Sequence, residues 1–119
     1  MRFLLPFLLL LLSIGSAYAQ HDPSCPVTDV RFPKGTSGTI ASGMASWDDI
    51  LCFDQGARAG QQVTMRVLEG SNTIFSVYGT TDARNDVSLV APSSQVQFLV
   101  SQLLRAPGPE RFRLQIDVQ

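Results

Sequence analysis

The chain has 119 residues, with 9 Lys or Arg and 10 Asp or Glu side chains and a formal net charge of −1. This length suits one domain with a single hydrophobic core. The near-neutral charge and the lack of a basic cluster in the sequence exclude a protein that binds nucleic acid by electrostatic attraction.

The first 19 residues have the pattern of a secretory signal peptide. Met1-Arg2 is a positive start, residues 3–12 are leucine-rich, and Ala17-Tyr18-Ala19 is a small-residue cleavage site. The apolar run of about ten residues is too short for a membrane-spanning helix, which needs roughly twenty. We therefore expect residues 1–19 to be removed and residues 20–119 to form one domain, periplasmic or secreted, with no membrane span after cleavage.

Two cysteines follow the leader, Cys25 and Cys52. Oxidation is the default state of thiols in an exported chain. With no third thiol to compete, a disulfide between these two is the natural pairing, whereas two free thiols or a metal-binding pair are the alternatives. The bond would close a loop of about 28 residues and stabilise the fold by roughly 3.5 kcal/mol.

The mature chain predicts short β-strands separated by Gly- and Pro-rich turns. Several segments alternate apolar and polar residues, which indicates strands with one buried and one exposed face. In chain order, the predicted strands are 27–32 at a sheet edge, 39–44, 50–53, 62–68, 73–78, 87–90 and 111–119. Together they predict an all-β fold, an antiparallel β-sandwich of seven or eight short strands and jelly-roll-like form, with a small barrel as the alternative.

The two central strands are predicted to form a hairpin. Only residues 70–72, Gly-Ser-Asn, separate the alternating runs 62–68 and 73–78. A short Gly/Asn turn between two such runs is typical of a β-hairpin. The polar segment 79–86 that follows predicts a loop.

Segment 95–104 has two interpretations. As a strand it places Val96, Phe98 and Val100 on one face, and as a helix it groups Val96 and Val100 with Leu103. The β-strands predicted on both sides favour the strand.

The sequence offers little for catalysis. Its single histidine, His21, lies near the mature N-terminus, where it is not held rigidly enough to act as a general base. One histidine and an oxidised cysteine pair do not make a zinc site. Asp48, Asp49 and Asp54 lack the dense ligand spacing of a calcium loop and are more simply turn and cap residues. We therefore expect neither an enzyme nor a metal or other cofactor.

Two loop residues, Trp47 and Arg105, have side chains that suit partner binding. Trp47 lies in a predicted turn, where it either contacts a partner or folds back over the edge of the sandwich. A loop arginine such as Arg105 can form two parallel hydrogen bonds with a carboxylate, although solubility alone is a simpler role. Arg58 is most simply a solvated turn residue.

Several sequence features in a fixed order resemble the periplasmic inhibitors of g-type lysozyme. The first is Phe32-Pro33-Lys34-Gly35-Thr36-Ser37-Gly38, with the pattern F-x-x-G-x-S-G. Ser42-Gly43 follows, and then Phe53 precedes Ala57-Arg58-Ala59-Gly60-Gln61, with the pattern A-x-A-G-Q before a strand. The A-x-A-G-Q turn also resembles the bacterial pre-peptidase C-terminal (PPC-like) domains.

The resemblance implies a β-sandwich that blocks a g-type lysozyme by placing loops in its substrate cleft. The S-G-x-Y loop of the family corresponds to Ser93-Ser94-Gln95-Val96, which keeps the serine but not the glycine or the tyrosine. The implied partner-binding residues are Ser93, Ser94, Gln95 and Arg105, with Trp47 as a further candidate. The alternative is a PPC-like accessory sandwich that binds another envelope protein or a glycan through Trp47 or loop 79–86.

Overall fold

The structure, a computed structural model, describes residues 24–32 and 36–119. The predicted leader, His21 and residues 33–35 of the F-x-x-G-x-S-G motif lie outside the described residues. The described part forms nine strands: β1 Val27–Val30, β2 Gly38–Ala45, β3 Leu51–Gly56, β4 Gln62–Glu69, β5 Thr73–Val77, β6 Thr81–Arg84, β7 Asp86–Val90, β8 Gln95–Gln102 and β9 Glu110–Val118. No helix in this part of the chain has the length and apolarity needed to cross a membrane.

The strands form two sheets around one core, which confirms the predicted β-sandwich. One sheet has the order β1-β3-β8-β5-β6, and the other has the order β2-β9-β4-β7. Paired strands are antiparallel except β1 and β3, which run parallel with Val27 opposite Cys52. β1 lies at a sheet edge, as predicted. The predicted disulfide joins Cys25 to Cys52 and fixes the N-terminal arm beside β3.

The predicted hairpin between strands 62–68 and 73–78 is wrong. β4 and β5 lie in different sheets, so residues 70–72 carry the chain from one sheet to the other. Gly70 has a φ of 118°, which favours glycine, and the Thr73 amide donates to its carbonyl oxygen at 3.2 Å. The same turn residues suit a hairpin or a crossing between sheets. In the structure β4 pairs with β9 and β5 pairs with β8, so these residues form a crossing between the sheets.

The predicted loop 79–86 contains a strand. β6 pairs with β5 at the edge of the five-stranded sheet, and after Asn85 alone the chain continues as β7 at the edge of the other sheet. The chain therefore passes between the two sheets along one side of the sandwich. The four residues of β6, Thr-Asp-Ala-Arg, include no large apolar side chain, so the sequence shows no alternation that would identify a strand.

The residues predicted to face the core in the C-terminal half of the chain are buried. Segment 95–104 is a strand as far as Gln102, and its predicted inner face, Val96, Phe98 and Val100, is buried. Backbone pairing with β3 on one side and β5 on the other explains why the strand prevails over the helix. The predicted inner face of β9 is buried as well: Phe112, Leu114, Ile116 and Val118.

Three aromatic rings hold the centre of the two sheets together. Phe53 of β3 stacks on Phe98 of β8 with ring centroids 5.1 Å apart, and it meets Phe112 of the opposite sheet edge-on at 6.4 Å. Burial of each ring contributes roughly 1.5–3 kcal/mol. The interior of the sandwich is thus filled by side chains, and the loops at its two ends carry the accessible chemistry.

The strand connections gather at these two ends, which we name for the predicted site residues that they carry. The serine end comprises residues 57–61, 78–80 and 91–94, together with Gln95, the first residue of β8. The arginine end comprises residues 46–50, 70–72 and 103–109.

Candidate functional site

The turn that contains Ser93 is shaped by its own hydroxyl. Ser93 Oγ accepts a hydrogen bond from the Gln95 amide at 3.3 Å and lies 3.1 Å from the Gln95 carbonyl oxygen, to which it donates. This is the local turn that serine favours. The half-buried Ser93 hydroxyl therefore holds the backbone, whereas the side chains of Ser94 and Gln95 are exposed.

A second loop is bonded to this turn. The Ala57 amide donates to the Ser94 carbonyl oxygen at 2.9 Å, and the Gly60 amide donates to the Ala91 carbonyl oxygen at 2.9 Å. The exposed Arg58 belongs to this second loop. Its backbone amide donates to Gln61 Oε1 at 2.6 Å, which closes the A-x-A-G-Q turn.

Arg58 is a candidate site residue that sequence reasoning missed. The residues next to Arg58 in the sequence do not distinguish it from an ordinary solvent-exposed turn residue. Its position beside Ser94 depends on backbone hydrogen bonds between β3–β4 and β7–β8 connections. The serine end thus presents Arg58, Ser94 and Gln95 on two loops that hold each other in place.

At the arginine end, Asn72 holds the loop that contains Arg105. Its side chain donates to the Leu104 carbonyl oxygen at 2.8 Å and accepts from the Leu104 amide at 3.0 Å. The Leu103 amide donates to the Asn72 carbonyl oxygen at 2.8 Å. A loop without regular structure therefore has three hydrogen bonds to a single residue of the neighbouring turn.

The other side of this loop is fixed by buried polar groups. Glu110 Oε2 accepts from the Asn72 amide at 2.8 Å and from the Thr73 hydroxyl at 2.6 Å. The buried Gln102 side chain donates to the Gly108 carbonyl oxygen at 3.1 Å. Because both ends of the loop are held, its exposed residues have a defined position before any partner arrives.

Trp47 lies at the same end as Arg105. The Gln102 amide donates to the Ser46 carbonyl oxygen at 3.2 Å, which places the loop of residues 46–50 beside the loop of residues 103–109. The Trp47 side chain is 43% exposed. It therefore does not fold fully over the edge of the sandwich.

The structure divides the predicted site residues into two groups. Ser93, Ser94 and Gln95 lie where β8 begins, and Arg105 follows its end. Eight strand residues at about 3.3 Å each separate the two groups by roughly 25 Å. One inserted loop cannot carry all these residues, because they lie in two separate regions of the surface.

The outer face of the five-stranded sheet has a shallow depression of about 410 Å³. It is lined by Ser76, Tyr78 and Leu99, by residues 79–80, and by Asp82. An aromatic ring beside hydroxyl groups and a carboxylate can contact a sugar. Part of the predicted loop 79–86 therefore borders a concave surface.

Among the described residues, no group of three or more His, Cys, Asp or Glu side chains is placed to hold a metal ion. Asp48 accepts a hydrogen bond from the Ser46 hydroxyl at 2.8 Å, as a turn residue does. Asp49 is exposed on the same loop.

These features define a two-sheet β-sandwich whose candidate contact residues lie on the loops at its ends and on one outer face. No protein-family model matches the chain, and no curated protein matches it in sequence.

Solved structures of the same fold are periplasmic inhibitors of g-type lysozyme. Aeromonas hydrophila PliG matches with a TM-score of 0.66 and 23% identity over 78% of this chain and 96% of that one. Salmonella Typhimurium PliG matches with a TM-score of 0.61 and 17% identity, over 78% and 97% of the two chains. A mutant of Escherichia coli PliG has the same score and identity, over 81% and 100%. At these identities the likeness shows a shared fold.

Proposed function

We propose that this protein is a non-enzymatic inhibitor of a g-type lysozyme that acts in the periplasm or outside the cell. The observation that carries the proposal is the shared fold, which extends over 78% of this chain and 96% of Aeromonas hydrophila PliG. The F-x-x-G-x-S-G and A-x-A-G-Q patterns support it independently. The leader, residues 1–19, accounts for export.

In this proposal the serine end enters the substrate cleft and excludes the glycan by its bulk. Ser94 and Gln95 donate and accept hydrogen bonds in the cleft, and Ser93 keeps their turn in shape. Arg58 supplies a guanidinium that pairs with a carboxylate of an acidic cleft. Trp47 and Arg105, at the other end, lie outside the cleft in this proposal.

Inhibition of g-type lysozyme on cell walls tests this proposal. The purified mature protein is expected to inhibit at micromolar concentration, and Arg58→Glu is expected to raise the half-inhibitory concentration at least about tenfold, a loss of about 1.4 kcal/mol. Arg105→Glu makes the same charge change about 25 Å from the serine turn, and it is expected to leave inhibition within about twofold. Absence of inhibition by the unmodified protein contradicts the proposed function, and equal effects of the two variants contradict the role of the serine end.

The depression on the outer sheet face favours a second candidate function, a PPC-like accessory domain that binds an envelope glycan. Cell-wall oligosaccharides would then shift the backbone amide resonances of residues 76–82, and Tyr78→Ala would abolish the shifts. Trp47 is the single tryptophan and lies at the arginine end, so a change in its fluorescence would instead indicate binding there. Shifts in neither region across a broad glycan panel would exclude this candidate.

A further inference from the structure

A glutamine occupies a core position where β3 leads into the serine end. Gln55 is 2% exposed and lies opposite the core residue Val96 of β8. Among the described residues, its Oε1 atom has no hydrogen-bond partner. A buried polar atom without a partner destabilises a fold, and an apolar side chain would fill the same space without that cost. Residues that break a packing rule in this way mark functional sites.

The hydrogen bond that Gln55 does form is directed at the backbone of the serine end. Its Nε2 atom donates to the Gly56 carbonyl oxygen at 2.9 Å. The pairing of β1 with β3 ends at Gln55, opposite Val30, so the Gly56 carbonyl lies beyond the last paired residue of that ladder. The Gln55 side chain therefore supplies a donor to this carbonyl where the ladder has ended.

The Gly56 carbonyl belongs to the peptide group that joins the two loops of the serine end. The amide of the same peptide group is that of Ala57, and it donates to the Ser94 carbonyl oxygen at 2.9 Å. Because a peptide group is planar, a bond that fixes its carbonyl also fixes the direction of its N–H. A hydrogen bond accepted by the carbonyl also strengthens the one that the amide donates. One buried side chain thus acts on the contact between the two loops.

Arg58 follows this peptide group directly. Ala57 is partly buried against the core, and the Arg58 amide donates to Gln61 Oε1 at 2.6 Å. The orientation of the peptide group between residues 56 and 57 therefore determines where the Arg58 side chain begins relative to Ser94.

We propose that Gln55 is a positioning residue of the serine end, which orients the peptide group between Gly56 and Ala57 and so holds the loop of Arg58 against the turn of Ser94. For its part in inhibition, this inference rests on the proposed function. Gln55 is buried, so it acts through the exposed side chains of Arg58 and Ser94 rather than by its own contact with a partner.

Gln102 offers a matched control at the other end of the sandwich. It is 4% exposed, and its Oε1 atom also has no partner within the part of the chain that the structure describes. Its Nε2 atom donates to the Gly108 carbonyl oxygen at 3.1 Å, in the loop of the arginine end. Gln55→Met and Gln102→Met are therefore the same chemical change at opposite ends of the fold.

Hydrogen exchange, urea denaturation and inhibition of g-type lysozyme test the inference on the protein expressed with its leader. Gln55→Met is expected to accelerate exchange of the Ala57 amide at least about tenfold. Its urea midpoint is expected to stay the same or rise, because methionine has a similar length and the unpartnered oxygen is removed. The half-inhibitory concentration is expected to rise about threefold or more, whereas Gln102→Met is expected to leave inhibition within about twofold and exchange at Ala57 unchanged.

The exchange measurement needs no lysozyme, so the positioning role and the proposed function can fail separately. If the unmodified protein does not inhibit, the proposed function is wrong, while faster exchange at Ala57 in Gln55→Met alone still supports the positioning role. Unaltered exchange at Ala57 in Gln55→Met, an equal effect of Gln102→Met, or an equal acceleration in the amides of β9 overturns the proposal. Unchanged inhibition by Gln55→Met, where the unmodified protein inhibits, overturns it as well.

Discussion

Replacement of Asn72 by alanine tests whether this residue orders the loop at the arginine end. The side chain makes two hydrogen bonds to the backbone of Leu104, at 2.8 and 3.0 Å. Each such bond contributes about 1 kcal/mol net. We therefore expect Asn72→Ala to lower the free energy of unfolding by about 2 kcal/mol, which for a domain near 100 residues lowers the melting temperature by about 10 °C.

Urea denaturation measures the global loss, and hydrogen exchange measures the local one. The Leu104 amide donates directly to Asn72 Oδ1, so its exchange in Asn72→Ala is expected to accelerate by about 30-fold, the equivalent of about 2 kcal/mol. Amides of the core strand β9 are expected to change only with global stability.

Asn85→Ala is the matched control for this experiment. Asn85 is an exposed asparagine between β6 and β7, and its carbonyl oxygen, which accepts from the Val67 amide at 2.9 Å, is unaffected by the substitution. We expect it to change stability by less than about 0.5 kcal/mol. Equal effects of the two variants, or unaltered exchange at Leu104 in Asn72→Ala, would refute the conclusion that Asn72 holds the loop.

Three further predictions concern the fold. Replacing Cys25 and Cys52 together by serine is expected to cost about 3.5 kcal/mol, measured by urea denaturation, and an unchanged midpoint would show that the bond does not stabilise the domain. Phe98→Ala removes a fully buried ring and is expected to cost about 3–5 kcal/mol in the same assay, with a loss below 1 kcal/mol as the contrary result. Gly70→Ala is expected to lower the melting temperature more than Gly79→Ala, because both have positive φ but only at Gly70 would a new Cβ meet a neighbouring side chain. A larger effect at Gly79 would contradict this steric argument.

The sequence predicts the fold class because the buried face of a strand in a sandwich can be identified from the alternation of residues within that strand alone. Alternation along β9 identifies its inner face residue by residue, from Phe112 to Val118, and all of these inner residues are buried. The disulfide is predictable from export and the count of two cysteines. The strand at 95–104 follows from its neighbours rather than from its own pattern, which suits a helix almost equally well.

Strand pairing depends on residues that are far apart in the sequence, and the predicted pairing of the two central strands is wrong. Residues 70–72 have the composition of a hairpin turn, yet β4 pairs with β9 and β5 with β8. The long alternating strand β9 lies between β2 and β4, which are far from it in the sequence. β6 has no large apolar residue to produce an alternating pattern, and its polar residues suggest a loop.

The candidate contact regions are only partly predictable for the same reason. The turn closed by the Ser93 hydroxyl involves residues that are adjacent in the sequence, so it can be predicted from the sequence. The position of Arg58 beside Ser94 and the support of Leu104 by Asn72 join distant parts of the chain. Only the arrangement of the sheets shows that Ser93 and Arg105 lie at opposite ends.

The short parallel strand β1 has a consequence for the edge of the five-stranded sheet. It covers the backbone of β3, and the bond between Cys25 and Cys52 holds it there. Before oxidation, detachment of this four-residue strand would leave β3 with unpaired amide and carbonyl groups, a template for intermolecular β-sheet. We therefore expect oxidation of the cysteines to limit aggregation of the chain, in addition to stabilising the domain.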